Sequence, residues 1–291
     1  MTVYEVITTR IVEMLQQGTV PWHKPWNAAG ETRNLVSGKG YRGINVFLLA
    51  AMPFASPYWL TYRQAAERGG SVRKGSKGCP VVFWRWPKGE QQAEEGQGEE
   101  ASKGRGPLLR YYTVFNVDQC DGIEAPATGV RTFEPIPECE RIVREMPNAP
   151  RIAHGGDRAF YRPSTDSVSL PPAALFETPA LYYSVLFHEL THSTGHESRL
   201  ARTGITDSNM FGSHEYSREE LVAEMGAAFL CGMAGIESAT LQDSSAYLAS
   251  WIRVLKGDSR LVITAAAQAQ KAADHILGRE FSQAAQQQEA A

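Results

Sequence analysis

The sequence lacks any run of 18 apolar residues, so no membrane span is predicted. Its first twenty residues mix Glu5, Arg10 and Glu13 into an amphipathic pattern, which a secretory signal peptide would not show. The four cysteines have no CxxC spacing, which argues against a zinc ribbon or a disulfide framework and favours buried thiols in a reducing compartment. We therefore expect a cytoplasmic protein that has no membrane partner.

Two nucleotide-related chemistries are disfavoured by residues that are missing. Residues 70–76 (GSVRKGS) have the glycines of a phosphate-binding loop, but no lysine follows the second glycine. A Walker-type nucleotide site is therefore not expected. The sequence also shows no cluster of carboxylates suited to two metal ions, so a nuclease is the weakest of the hypotheses considered.

Charge is distributed unevenly along the 291 residues, although the net formal charge is only −3. Residues 1–130 carry 15 Lys and Arg against 12 Asp and Glu, whereas residues 131–291 carry 14 against 20. This asymmetry predicts a basic domain joined to an acidic one, with the boundary in a proline-punctuated linker.

The predicted fold class is α+β, with two domains. Residues 1–128 are predicted to form a mixed α/β domain, and residues 129–291 a mostly helical one. Residues 87–107 are rich in Gly, Glu, Gln and Lys and contain no aromatic residue, so we expect them to be a flexible insertion between two strands.

The most informative motif is residues 188–192 (HELTH), which falls in a predicted buried helix. Thr178 and Pro179 read as an N-cap followed by proline at the first helical position. Gly195 stands where a glycine stop is expected, so the helix should cover residues 180–194.

Within that helix, His188 and His192 are four residues apart and therefore lie on one face, close enough to share one cation. Glu189 is placed beside that cation, where it can accept a proton from water. Two buried imidazoles and a carboxylate are costly to desolvate without a purpose, which disfavours a purely structural helix.

A catalytic zinc site has three protein ligands and one open position, so another ligand must lie downstream. The longer HExxHxxGxxH motif is absent, since Ser198 stands where its last histidine would be. Glu220 and Glu224 lie one turn apart and resemble the acidic pair of gluzincin-type enzymes, in which the first acid binds metal and the second orients a histidine. We expect Glu220 to be the ligand, but if Glu220 instead forms a capping box with Ser217, then Glu224 becomes the ligand.

The chemistry that follows from this arrangement is hydrolysis of an acyl bond, with Glu189 as the general base. His196 lies just beyond the predicted end of the helix and is a candidate outer-sphere or substrate contact. Tyr183 and His214 are candidate donors to the oxyanion of the transition state.

The first domain interleaves cations with aromatic residues, as binding of single-stranded DNA without sequence preference requires. The rings of Trp22, Trp26 and Tyr41 are the better stacking candidates, because loops rarely bury large rings without reason. The predicted DNA-binding residues are Trp22, Lys24, Trp26, Arg33, Lys39, Tyr41, Arg42, Asn45, Arg73, Lys74 and Lys77.

Nearly the whole chain, apart from residues 87–107, resembles the ArdC-type antirestriction proteins of conjugative plasmids, whose N-terminal domain also begins the TraC-type plasmid primases. The matching segments are residues 21–26 (PWHKPW), 41–45 (YRGIN), 59–66 (WLTYRQAA), 75–78 (GSKG), 115–117 (FNV), 188–200 (HELTHSTGHESRL), 219–224 (EELVAE), 247–251 (YLASW) and 270–273 (QKAA).

This resemblance implies a single-stranded-DNA-binding domain followed by a zincin-like metallopeptidase domain that holds zinc, with manganese or another divalent metal as the alternative. It also implies a bacterial cytoplasmic protein that protects incoming plasmid DNA from restriction, with a restriction-related or DNA-bound protein as substrate. The alternative is a DNA-binding protein whose metal domain is structural or proteolytically inactive.

Overall fold

The computed structural model of the protein describes residues 1–22, 31–85, 108–126, 135–206, 214–236 and 245–279. Helices and strands are mixed along this part of the chain, which confirms the predicted α+β class. The helices are α1 (Val3–Gln16), α2 (Ile44–Ala50), α3 (Tyr62–Glu67), α4 (Pro135–Glu145), α5 (Pro179–Ser193), α6 (Thr203–Thr206), α7 (His214–Ala234), α8 (Ser245–Gly257) and α9 (Leu261–Ile276). No helix of the described ranges is long and apolar enough to cross a membrane.

Within the described residues, the strands form three small sheets. They are β1 (Arg33–Asn34), β2 (Tyr58–Leu60), β3 (Ser71–Val72), β4 (Cys79–Arg85), β5 (Leu108–Asn116), β6 (Cys120–Asp121), β7 (Arg151–His154), β8 (Phe160–Arg162) and β9 (Ser167–Leu170). The largest sheet has the order β1-β2-β5-β4, and the others are β3-β6 and β7-β9-β8. The predicted insertion, residues 87–107, lies outside the described residues.

Local sequence chemistry explains where the key helices begin. The Thr2 and Glu5 side chains form a capping box at the start of α1. The Thr178 hydroxyl accepts a hydrogen bond from the Leu181 N–H at the start of α5, and Pro179 is the first helical residue, as predicted. Helix α7 begins at His214, so Ser217 lies inside it and the proposed capping box with Glu220 is wrong.

One continuous hydrophobic core contains residues of both predicted domains. Phe47 of α2 stacks on Phe229 of α7, with ring centroids 4.7 Å apart. Helix α1 packs against α8 and α9, so the N-terminal helix contacts the C-terminal helices of the described residues. The four cysteines are buried free thiols, as predicted. The boundary between residues 128 and 129 stays a prediction, because the described residues pack together across it.

Trp22 joins the two halves through a buried hydrogen bond. Its side chain is fully buried, and its indole N–H donates to Glu224 Oε2 of α7 at 2.9 Å. The Tyr247 hydroxyl of α8 donates to the same oxygen, and the Trp251 ring meets the Trp22 ring edge-on. The prediction that Trp22 stacks on DNA bases is therefore wrong for this fold, because its ring faces the interior.

Replacing Trp22 by Phe should lower the free energy of unfolding by about 1–3 kcal/mol more than replacing Trp59 by Phe. Both rings are buried, but the Trp59 indole N–H has no hydrogen-bond partner among the described residues, so the control changes ring packing alone. Urea unfolding curves of the two variants measure the difference. Equal decreases in the two variants would show that the Trp22–Glu224 bond contributes nothing.

Candidate metal centre

The HELTH motif lies in α5, where helical spacing turns both histidines the same way. The Nε2 atoms of His188 and His192 are 3.1 Å apart, and the two ring planes meet at 81°. Glu189 lies between them in sequence and is 7% exposed. The two ring nitrogens therefore converge on one point, with a carboxylate of the same helix nearby.

Helix α7 brings a third potential ligand to this point. The Glu220 carboxylate lies 3.6 Å from His188 Nε2 and 3.7 Å from His192 Nε2. One ligand atom from each of these three residues lies within 4.8 Å of the others, which is compatible with a single metal ion.

The close approach of α7 to α5 depends on a glycine. A Cβ atom at Gly226 would lie 2.5 Å from Thr191 Cγ2 of α5, which no real contact tolerates. Thr191 is fully buried at this crossing, and its hydroxyl donates to the Phe187 carbonyl at 2.7 Å. Gly226 therefore lets the backbones meet closely enough for Glu220 to reach the histidines.

Glu224 is directed to other partners than the histidines. Its carboxylate accepts the hydrogen bonds from Trp22 and Tyr247 described above. Burial raises the pKa of Glu224, and these two bonds offset that effect only in part. Of the two acids left open by the sequence, the geometry brings Glu220 to the histidines and keeps Glu224 in the contact between the halves.

Sequence reasoning missed Glu219 and Arg202. Glu219 Oε1 lies 3.3 Å from His192 Nδ1, so Glu219 has the histidine-orienting position that we had expected for Glu224. Arg202 donates to both Glu219 oxygens, at 2.6 and 3.0 Å, and all three side chains are largely buried. The only sequence signal for this role was that Glu219 is an acid directly before the predicted ligand Glu220.

Arg202 also ties this carboxylate back to α5. Its guanidinium donates to the Thr191 carbonyl at 2.8 Å and to the Thr194 hydroxyl at 2.6 Å. Burial alone would raise the pKa of Glu219, but its bonds to His192 and Arg202 hold that pKa below its usual range. Glu219 is therefore ionised, and it holds the ring of His192 in one orientation.

The electrostatics of the site favour a cation. Burial lowers the pKa of His192, but Glu219, Glu220 and Glu189 together outweigh this effect and raise it. A group of carboxylates that makes an imidazole bind a proton so readily also favours a divalent ion. Two imidazole nitrogens and one carboxylate oxygen are a donor set that fits zinc, and manganese accepts it as well.

A cleft of about 990 Å³ opens onto these residues. Phe160 and Tyr161 of strand β8 line the cleft, and His196 and Ile205 also line it. The cleft is therefore large enough to admit a polypeptide segment to the histidines.

Arg199 connects strand β8 to α5. Its side chain is 1% exposed and donates to the Tyr161 hydroxyl, to Asp166 and to the carbonyls of Ser193 and Asn148. The Tyr161 hydroxyl in turn donates to Asp166 at 2.8 Å. A buried guanidinium with this many acceptors fixes the β8 wall relative to the HELTH helix.

The candidate outer-sphere contact, His196, and the candidate oxyanion donors, Tyr183 and His214, have different positions. His196 lines the cleft, and its Nδ1 lies 2.8 Å from the Ser198 hydroxyl. Tyr183 is buried and donates to Glu140 of α4 at 2.7 Å, so the prediction that it supports an oxyanion is wrong. His214 is the first residue of α7, but its side chain lies outside the described part of the structure.

Two further predicted DNA-binding residues are structural. Asn45 is 4% exposed and exchanges two hydrogen bonds with the Val82 backbone, at 2.8 and 2.7 Å. Tyr41 is 9% exposed, and its hydroxyl lies near the Asn34 amide. Both side chains are thus held in structural contacts, and the hypothesis that they contact DNA stays a prediction.

The predicted cations are partly paired and partly exposed. Arg42 forms an ion pair with Asp274 of α9, Arg73 with Asp121 and Arg33 with Glu31. Lys74 and Lys77 are exposed on the turn before β4, and Lys39 is half-buried. Lys24 and Trp26 lie outside the described residues.

Both halves of the chain match known protein families. Residues 1–115 match a family model described as the N-terminal domain of anti-restriction factor ArdC. Residues 137–268 match one described as a zincin-like metallopeptidase.

Among related proteins, the chain is 37% identical over 300 residues to a DNA primase TraC of Escherichia coli, covering 98% of this chain and 28% of that protein. It therefore spans less than a third of that primase. It is also 37% identical to the uncharacterized protein y4eC of Sinorhizobium fredii, covering 94% of this chain and 90% of that protein.

Two crystal structures of the antirestriction ArdC protein from plasmid R388 are similar to this one. The Mn(II)-bound structure has a TM-score of 0.73 and 38% identity and covers 96% of this chain and 98% of that chain. The metal-free structure has a TM-score of 0.72 and 36% identity and covers 97% of this chain and all of that chain.

The geometry predicts that Glu220→Gln weakens binding of a divalent metal by about 100-fold or more, because a direct ligand is removed rather than an outer contact. Glu224→Gln is the matched control one turn along α7, and it should change the affinity by less than about 10-fold. Calorimetric titration of each metal-free variant with Zn²⁺ and with Mn²⁺ measures the difference. A larger decrease in the Glu224 variant would reverse the assignment.

Proposed function

Since the chain belongs to the family of ArdC antirestriction proteins, we propose that it protects incoming plasmid DNA from restriction during conjugation. In this proposal the N-terminal half binds single-stranded DNA, and the α5–α7 site is a metallopeptidase centre. The observation that carries the peptidase part is the convergence of His188, His192 and Glu220 at the base of a cleft, beside Glu189.

The metal that we propose for this site is zinc, with manganese as the alternative. Two imidazoles and one carboxylate, with solvent access from the cleft, are the donors of many catalytic zinc centres. The related R388 protein was crystallised with Mn(II), which keeps manganese open for this chain.

A bound divalent cation supplies Lewis acidity, which lowers the pKa of water and polarises a carbonyl. Glu189 then accepts a proton from the attacking water and passes it to the leaving amine. Glu219 keeps the Nδ1 side of His192 occupied, so that Nε2 faces the cleft. Arg202 in turn fixes Glu219.

The shape of the cleft supports a peptide substrate. Strand β8 pairs with β9 on one side and is the edge strand of its sheet. Phe160 and Tyr161 of this strand line the same cleft as the histidines. An extended peptide could add to this edge by main-chain hydrogen bonds, which would place its carbonyl groups near His188 and His192. We propose a restriction-related or DNA-bound protein as the substrate.

Exposed cations and rings support DNA binding by the N-terminal half. Lys74 and Lys77 are exposed on one turn, while Tyr62 and Tyr111 are 63% and 49% exposed. We propose these two exposed rings as the stacking candidates instead of Trp22 and Tyr41, which are buried. Stacking on exposed rings beside cations needs no particular base sequence.

Glu189→Ala should abolish peptidase activity and protection of transferred plasmids in a restricting recipient, because the base that takes the proton from water is removed. Zinc content and single-stranded DNA affinity should remain as in the wild type. Glu177→Gln, an exposed acid just before α5, is the control. The readout is the ratio of transfer into restricting and non-restricting recipients. Full protection by Glu189→Ala would favour a DNA-binding protein with an inactive metal domain.

Binding of a labelled single-stranded oligonucleotide should weaken steeply with salt, because each phosphate contact releases counterions. Lys77→Glu should reduce the slope of log affinity against log salt by about 0.7, since one lysine no longer neutralises a phosphate. Lys256→Glu, at an exposed position of α8, should leave the slope unchanged. Fluorescence anisotropy across a salt series gives these slopes, and a flat wild-type response contradicts binding through phosphates.

A further inference from the structure

A second cavity, of about 100 Å³, lies where the two halves of the chain meet. Residues 42–45 at the start of α2 form one wall, residues 82–84 of β4 another, and α9 the remaining one. An ordered water needs about 10–15 Å³, so the cavity holds several waters, and a small planar ring such as a pyrimidine base is of that scale.

The walls of this cavity are fixed by contacts between elements. Asn45 holds the edge of β4 through its two bonds to the Val82 backbone. Arg42 forms its ion pair with Asp274, whose side chain is 6% exposed. The Gly43 N–H donates to Gln270 Oε1 of α9 at 3.2 Å. The cavity is thus shaped before any ligand binds, which lowers the entropic cost of binding.

The lining suits a flat ring with polar edges. Phe83 and Trp84 are half-buried aromatic residues at the edge strand of the sheet. Residues two apart on a strand direct their backbone N–H and C=O groups to the same edge of the strand. The Val82 backbone bonds Asn45 at the edge of β4 away from β5, so the Trp84 N–H and C=O groups are directed to that edge as well. Gln270 and Asp274 add polar side chains on the α9 wall.

The surroundings of the cavity suit a nucleic-acid strand. Lys271 lines it from an exposed position on α9, where its ammonium group can reach a phosphate. Tyr111 is 49% exposed and lies diagonally across β4 and β5 from Trp84, since Val82 pairs with Tyr111 and Trp84 with Leu109. The exposed Tyr111 ring therefore lies on the same sheet face as Trp84, although it does not line the cavity itself.

We propose that this cavity binds one unstacked base of single-stranded DNA, with Trp84 against the base and Lys271 at a neighbouring phosphate. The inference rests on the proposed DNA binding and extends it, because it makes α9 of the second half part of the DNA site. The strand would then contact the same helix that packs against α5 and α7, the two helices that carry the candidate metal ligands.

The test measures binding of full-length variants to a fluorescent oligothymidine and to a sugar–phosphate strand of equal length without bases. Trp84→Ala should weaken oligothymidine binding by roughly 5- to 150-fold and leave binding to the abasic strand unchanged, because only stacking is removed. Trp84→Phe should restore most of the affinity. Lys271→Glu, on the surface of α9, should weaken binding to both strands, whereas Lys256→Glu should have a smaller effect on either.

Each outcome separates this inference from the proposed function. If the wild type binds no oligonucleotide, the proposed DNA binding itself fails. If the wild type binds but Trp84→Ala and Lys271→Glu match the Lys256→Glu control, DNA binding stands and the cavity is not its site. Thymidine monophosphate should compete only weakly, and competition at the affinity of the oligonucleotide would overturn the proposal in favour of a mononucleotide site.

Discussion

The close packing of α7 on α5 is the constraint on which the candidate site depends. Gly226 has no side chain, so the Thr191 side chain packs directly against its backbone, and that contact brings Glu220 to His188 and His192. The buried ion pair between Arg202 and Glu219 also holds the two helices in this arrangement. Removing one partner of such a pair would leave an uncompensated buried charge, at a cost of about 3–5 kcal/mol. The same contacts therefore stabilise the fold and orient His192.

The N-terminal half is fastened to this pair of helices rather than loosely tethered to it. Trp22 reaches Glu224, one turn beyond Glu220 on α7, and Arg42 reaches Asp274 on α9. Residues with the composition of a DNA-binding loop thus act as structural connections between the halves. A strand bound at the cavity between β4 and α9 would contact both halves at once.

The sequence predicted the elements whose determinants are local, and it failed where burial decided the outcome. Thr178 and Pro179 fixed the start of α5 because capping acts within one turn. Helical spacing likewise placed His188 and His192 together. By contrast, Trp22 is buried against α7 and α8, and Asn45 against strand β4, and no local pattern records such contacts between distant parts of the chain. Glu219 was missed because its role depends on Arg202, 17 residues away in sequence.

Anomalous diffraction from crystals of the full chain grown with Mn²⁺ tests most directly whether α5 and α7 together hold one divalent metal. One strong peak is expected at bonding distance from Nε2 of His188, Nε2 of His192 and the Glu220 carboxylate. Glu224 should remain bonded to Trp22 and Tyr247. A peak bound by Glu224 in place of Glu220, or the absence of any peak between the two histidines, would show that this ligand assignment is wrong.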